Sequence, residues 1–143
     1  MSRATKMSWL DGVMTVEFVN DREETERLVS GGFPHEDLTS LLDSLSWVFC
    51  TAMDIPKKMQ ERVRAYGIEE KNTKDSYGFV ILARITSTAF GPMKVRTPFI
   101  EAYYLDQDDR LACENLLDEA LLYAEKDKRG RSGDLFEDAG EVK

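Results

Sequence analysis

The sequence predicts one α+β domain, a small and mainly antiparallel sheet of about three strands packed against three to four helices. Three observations point there. Two stretches carry apolar residues at helical spacing, two others alternate or run apolar as strands do, and glycine or proline punctuates the joins. The domain is expected over residues 1–126, followed by a polar, flexible tail over residues 127–143.

Taken in order, residues 1–8 read as a loose terminus. The alternation in Val13–Val19 makes a strand with Met14, Val16 and Phe18 on one face. Asn20 or Asp21 is placed to cap a short acidic helix over Arg22–Val29, and Ser30-Gly31-Gly32 ends it. The strongest helix follows Phe33-Pro34-His35. Leu38, Leu41, Leu42, Leu45, Val48, Phe49 and Ala52 form one continuous stripe, widened by Trp47 and Met53.

Pro56 suits the first position of another helix over Lys57–Tyr66, with Met59, Val63 and Tyr66 on one side and Gly67 closing it. Glu69–Ser76 reads as a polar loop. Tyr77–Thr86 is apolar on both faces around Phe79-Val80-Ile81-Leu82, as an inner strand is. Gly91-Pro92 turns the chain into a partner strand over Lys94–Leu105, which Pro98 confines to an edge or breaks. Asp106 and its neighbours open the last helix, whose stripe is Cys113, Leu116, Leu117, Ala120, Leu121 and Ala124.

Composition narrows the function classes. With 143 residues, 42% hydrophobic and 32% charged, the chain can bury a core and is not of disordered type. It holds no apolar run long enough for a membrane span, and its start lacks the apolar stretch of a secretory signal. The expected location is the cytoplasm, of its own cell or of a host. Cys50 and Cys113 fall inside apolar helical patterns and read as buried free thiols. A net charge of −8 opposes a surface that grips phosphates throughout, while permitting a local basic patch or an acidic surface that imitates a polyanion.

No motif for catalysis, cofactor binding or metal ligation is found, so none of the three is expected. Asp106, Asp108 and Asp109 open like a calcium loop, yet Leu111 stands where the loop needs glycine and Leu117 where it needs glutamate. Helix capping accounts for them. The single histidine, His35, sits at a helix entrance beside Glu36 and Asp37, where a polar residue has a structural use.

Two surfaces remain as candidates. Trp9, Phe33, Glu36, Asp37 and Trp47, with Leu135 and Phe136 of the acidic tail, make a candidate protein interface, because aromatic anchors carry much of the energy of interfaces. Arg84, Lys94 and Arg96, with Tyr103 and Tyr104, make a candidate single-strand nucleic-acid patch of cations and stacking rings. The function expected from this balance is non-enzymatic: an acidic binding or regulatory protein that works through a protein partner or through self-association as a homodimer. Its general type is that of small phage accessory proteins that modulate host machinery. The alternative is a single-strand binder using the cationic hairpin and the acidic tail.

Overall fold

The computed structural model describes residues 2–128. The first half of the chain forms strands β1 (Arg3–Leu10), β2 (Val13–Val19) and β3 (Thr25–Gly31), then helix α1 (Glu36–Ala52). The second half forms β4 (Val63–Asn72), β5 (Tyr77–Ser87), β6 (Gly91–Arg96) and the two-residue β7 (Ile100–Glu101), then helix α2 (Gln107–Lys126). All pairings are antiparallel, in the order β3-β2-β1-β4-β5-β6, with β7 beside β5. Both helices lie on one face, and each crosses the midline: α1 packs on β4 and α2 on β1.

This architecture corrects the expected one. Instead of about three strands under three to four helices, a seven-stranded sheet carries two helices, of 17 and 20 residues. The reasons are local. The supposed loose terminus is β1, joined to β2 by Asp11 and Gly12 at φ 52° and 80°, the pair of positive values that a type I′ hairpin turn requires. A bulge between Ala4 and Lys6 breaks the alternation of β1 and hides it from a period-two reading.

The short acidic helix is also a strand. Asn20 Oδ1 accepts from the amides of Arg22 and Glu24 at 2.9 and 3.0 Å and, with Glu23 at φ 62°, closes a turn into β3. An edge strand with a solvated face can be polar throughout, because its ladder to β2 supplies the backbone bonds.

The expected helix over Lys57–Tyr66 is a single 3-10 turn, Lys57–Arg62, running straight into β4. A bulge between Ala65 and Gly67 shifts the phase of β4, so Met59, Val63 and Tyr66 imitate helical spacing by accident. Gly67 closes no helix. A Cβ there would stand 2.5 Å from the Met7 carbonyl oxygen, so its lack of a side chain lets β1 and β4 meet. The polar stretch after it is strand as far as Asn72, and Thr73 then donates its amide to the Ser76 carbonyl at 2.7 Å.

The inner strand β5 forms as expected, while its partner breaks at Pro98. The β6 ladder ends at Arg96, and Thr97 takes over. Its amide donates to the Ile81 carbonyl and its Oγ1 accepts from the Ile81 amide, both at 3.0 Å.

The core lies between sheet and helices. Leu38, Leu42, Leu45 and Phe49 of α1 and Leu116, Leu117, Ala120 and Tyr123 of α2 meet Met7, Met14, Val16, Ile68, Phe79 and Ile81 of the sheet. Fully burying a side chain of this size contributes about 1.5–3 kcal/mol. The wide stripe of α1 is thus covered within the chain. Trp47 and Ala52, read as part of that stripe, point outward. Cys50 and Cys113 are buried and free, and burial, with Asp109 and Glu114 nearby, pushes the Cys113 thiol up to about 12.

Candidate functional site

Three surfaces carry chemistry. The first is the outer side of α1. Glu36, Ser40, Asp43 and Trp47 recur at i, i+4, i+7 and i+11, and all four are exposed. They form one ridge about 16 Å long at the helical rise of about 1.5 Å per residue. Trp47 is 62% exposed, and Phe33, 59% exposed, stands just before the helix. Trp9 is half-buried and meets Phe33 edge-on with ring centroids 6.4 Å apart. The fold therefore gathers Phe33, Glu36, Asp37 and Trp47 on one helix and places Trp9 beside them. Leu135 and Phe136 lie outside the described residues.

Asp37 belongs to a bridge between the helices. Lys128 donates to Asp37 Oδ2 at 2.9 Å and to Glu119 Oε1 at 3.1 Å. This hydrogen bond, more than the charge alone, holds the Asp37 carboxyl below its ordinary range. His35 proves to be the N-cap of α1, its Nδ1 accepting from the Asp37 amide at 3.0 Å.

The charges are segregated. The two helices carry nine acidic residues against two basic, whereas the strands carry eight basic against five acidic. Almost all the net negative charge lies on the helical side.

The second surface is the open face of the sheet. Arg64, Arg84 and Lys94 occupy directly paired positions on β4, β5 and β6, a transverse row of cations. Arg84 is tied to Asp11 at 3.2 Å and Arg96 to Glu69 at 3.7 Å. A second row on this face, Arg27, Glu17, Lys6 and Glu69, alternates in sign across β3, β2, β1 and β4. Tyr103 and Tyr104, 85% and 76% exposed, do not join the patch. They follow β7, which pairs with β5 at Gly78 and Phe79, about 20 Å along the strand from Arg84.

The third is a cleft of about 440 Å³. β1 and β4 are paired at only three positions, Lys6–Glu69, Met7–Ile68 and Ser8–Gly67. Beyond Ser8 they part, and α1 lies across the gap. Trp9, Leu10, Leu42 and Tyr66 line the cleft, with Arg64 and Arg84 among its walls. Asp11 and Asp43 also border it.

The parting frees the Ala65 amide, which donates to the buried Ser46 Oγ at 2.8 Å, while that hydroxyl donates to the Leu42 carbonyl at 3.1 Å. Arg64 is fixed too. Its Nη1 donates to the carbonyls of Glu61 and Val63, both at 2.9 Å. Arg64 has no carboxylate in ion-pair range among the described residues.

The opposite end of the same seam is closed by Arg3, whose Nη1 donates to Glu70 Oε1 at 2.7 Å. Burial raises the Glu70 carboxyl, Arg3 partly offsets this, and Glu114 and Asp118 of α2 raise it further. Tyr77 donates to Glu114 Oε2 at 3.1 Å, and burial, with Glu70 and Glu114, raises its hydroxyl well above the ordinary range. Asp106 caps α2, accepting from the Asp109 amide at 2.9 Å. Among the described residues no group of three or more His, Cys, Asp or Glu could hold a metal ion, and no helix is long and apolar enough to cross a membrane.

Arg64, Tyr66, Asp43 and Ser46 were not singled out by sequence reasoning. The helix expected over Lys57–Tyr66 concealed the first and second. The period of α1 did carry the signal for Asp43 and Trp47 on one outer ridge. No family model, curated protein or solved structure matches this chain.

Proposed function

We propose that the protein is a non-enzymatic binding protein that docks a partner on its helical side, centred on the Glu36–Ser40–Asp43–Trp47 ridge. The observation that carries this reading is a large aromatic ring, 62% exposed, on a layer with nine acidic residues to two basic. An exposed tryptophan supplies an interfacial anchor, and the surrounding carboxylates select a partner with a basic surface. A host protein whose basic cleft accepts a polyanion is one such partner, as for a small accessory protein that modulates host machinery.

The test is affinity capture of the tagged protein from its source or host cells, with and without nuclease. Wild type is run beside the Phe33→Ala/Trp47→Ala double variant, with folding checked by circular dichroism. A stoichiometric basic protein that survives nuclease and falls at least about tenfold in the variant is expected. Retention indifferent to the two rings refutes the ridge.

A second reading, single-strand nucleic-acid binding, has one observation in its favour: the directly paired row Arg64, Arg84 and Lys94. Against it stand the Asp11 and Glu69 partners of Arg84 and Arg96 and the distance of Tyr103 and Tyr104. Binding that weakens steeply with salt and is lost in an Arg84→Ala/Lys94→Ala/Arg96→Ala variant would establish it.

A further inference from the structure

The cleft at the parted end of the β1–β4 seam is distinct from the α1 ridge reading and does not depend on it. Its backbone is already satisfied. Ser46 takes the Ala65 amide, so no extended chain is needed to complete the sheet there. What the cleft offers instead is side-chain chemistry in a space of about 440 Å³, within the range of about 300–1,000 Å³ typical of small-molecule sites.

The most specific element is Arg64. A guanidinium carries five N–H donors in a rigid plane. Two carbonyls engage both hydrogens of Nη1 and hold the plane still. The donors on Nε and Nη2 have no partner among the described residues, and in a guanidinium these form the side-on edge that takes a carboxylate through two parallel bonds. Because two hydrogen bonds already hold the side chain, little further ordering entropy is lost on binding.

The remaining walls define the rest of the ligand. Trp9, Leu10, Leu42 and Tyr66 provide an apolar and partly aromatic lining for a ring-sized body. Asp11 and Asp43 at the border make a doubly charged anion such as a phosphate monoester unfavourable, while Arg84 is committed to Asp11. A single negative charge with two coplanar oxygens fits this balance best.

We propose that this cleft binds a small monocarboxylate on an aromatic or comparably apolar body, with Arg64 as the carboxylate anchor. The carboxylate is that of a free small acid or that of the last residue of a polypeptide, and the two sources are separable by experiment.

Phenylacetate is titrated into the ¹⁵N-labelled full chain while the Trp9 indole N–H signal is followed, assigned with a Trp47→Phe variant. Phenylacetamide serves as the uncharged control. A saturable shift is expected with phenylacetate, with the amide at least about tenfold weaker, as is the loss of a charge-assisted bidentate contact. Arg64→Gln should weaken phenylacetate by a similar factor, and Arg64→Lys should fail to restore it, because an ammonium lacks the fork. The melting temperature of each variant shows that the fold is kept. A short peptide ending in phenylalanine that outcompetes phenylacetate supports a chain terminus as the source. The reverse ranking supports a free acid. Equal binding of acid and amide, no saturable shift at millimolar phenylacetate, or wild-type affinity in Arg64→Gln would overturn the proposal, and none of these bears on retention through Phe33 and Trp47.

Discussion

Replacing Ser46 by alanine tests how the open end of the seam is held. Ser46 lies on α1 at 8% exposure, accepting from the Ala65 amide at 2.8 Å and donating to the Leu42 carbonyl at 3.1 Å. The Leu42 carbonyl keeps its helical partner, so its loss matters little. The Ala65 amide has no second acceptor, since β1 has already turned away. A buried donor left unmade costs about 1–3 kcal/mol, and alanine returns a few tenths through helix propensity. The net expectation is a loss of about 1–2 kcal/mol, toward the lower figure if water from the cleft takes the place of the hydroxyl.

For a chain of this size that loss is a fall of about 3–8 °C in melting temperature. Urea unfolding followed by tryptophan fluorescence measures it, with Ser44→Ala as the control. Ser44 makes only an exposed bond to the Ser40 carbonyl at 3.2 Å, and its removal should change stability by less than about 0.5 kcal/mol. If Ser46→Ala were no less stable than Ser44→Ala, the claim that this hydroxyl completes the parted sheet would be wrong.

Three further outcomes are expected. Gly67→Ala pushes a methyl against the Met7 backbone and should cost at least about 2 kcal/mol, with faster proteolysis of β1 than in wild type. Glu70, raised by burial, is less acidic in the folded chain than in the unfolded one, so folding is penalised above its folded value and relieved as pH falls through it. Glu70→Gln should therefore gain less stability than wild type between neutral pH and the ordinary carboxylate range, measured by urea unfolding across that window. Cys50 and Cys113, both buried with raised thiols, should resist a colorimetric thiol reagent in the native protein and release two equivalents on unfolding.

Much of the fold was legible where one side chain per turn or per pleat decides burial. The stripe Leu38–Phe49, the alternation Met14-Val16-Phe18 and the two-faced run around Ile81 each name their element. Legibility failed where the backbone departs from its period. The bulges in β1 and β4 each move an apolar set by one place, and β3 needs no apolar set at an edge. The Asp11-Gly12 pair, a strong hairpin signal, was present and could have recovered β1. Of the candidate surfaces, the α1 ridge follows from helical period alone. The cleft does not, because it depends on where two strands nearly sixty residues apart stop pairing, and no local pattern encodes that.

The crossing of each helix onto the other half's inner strand has a consequence for assembly. Each half is a three-strand meander followed by a helix, and the halves join through antiparallel β1 and β4. That is the arrangement a symmetric pair of separate subunits would adopt, with each lending its helix to the other's sheet. Here a single covalent link, Met53 to Arg62, supplies the second partner at a fixed and very high effective concentration. The union of the halves is therefore independent of how much protein the cell makes, and dilution alone cannot separate them.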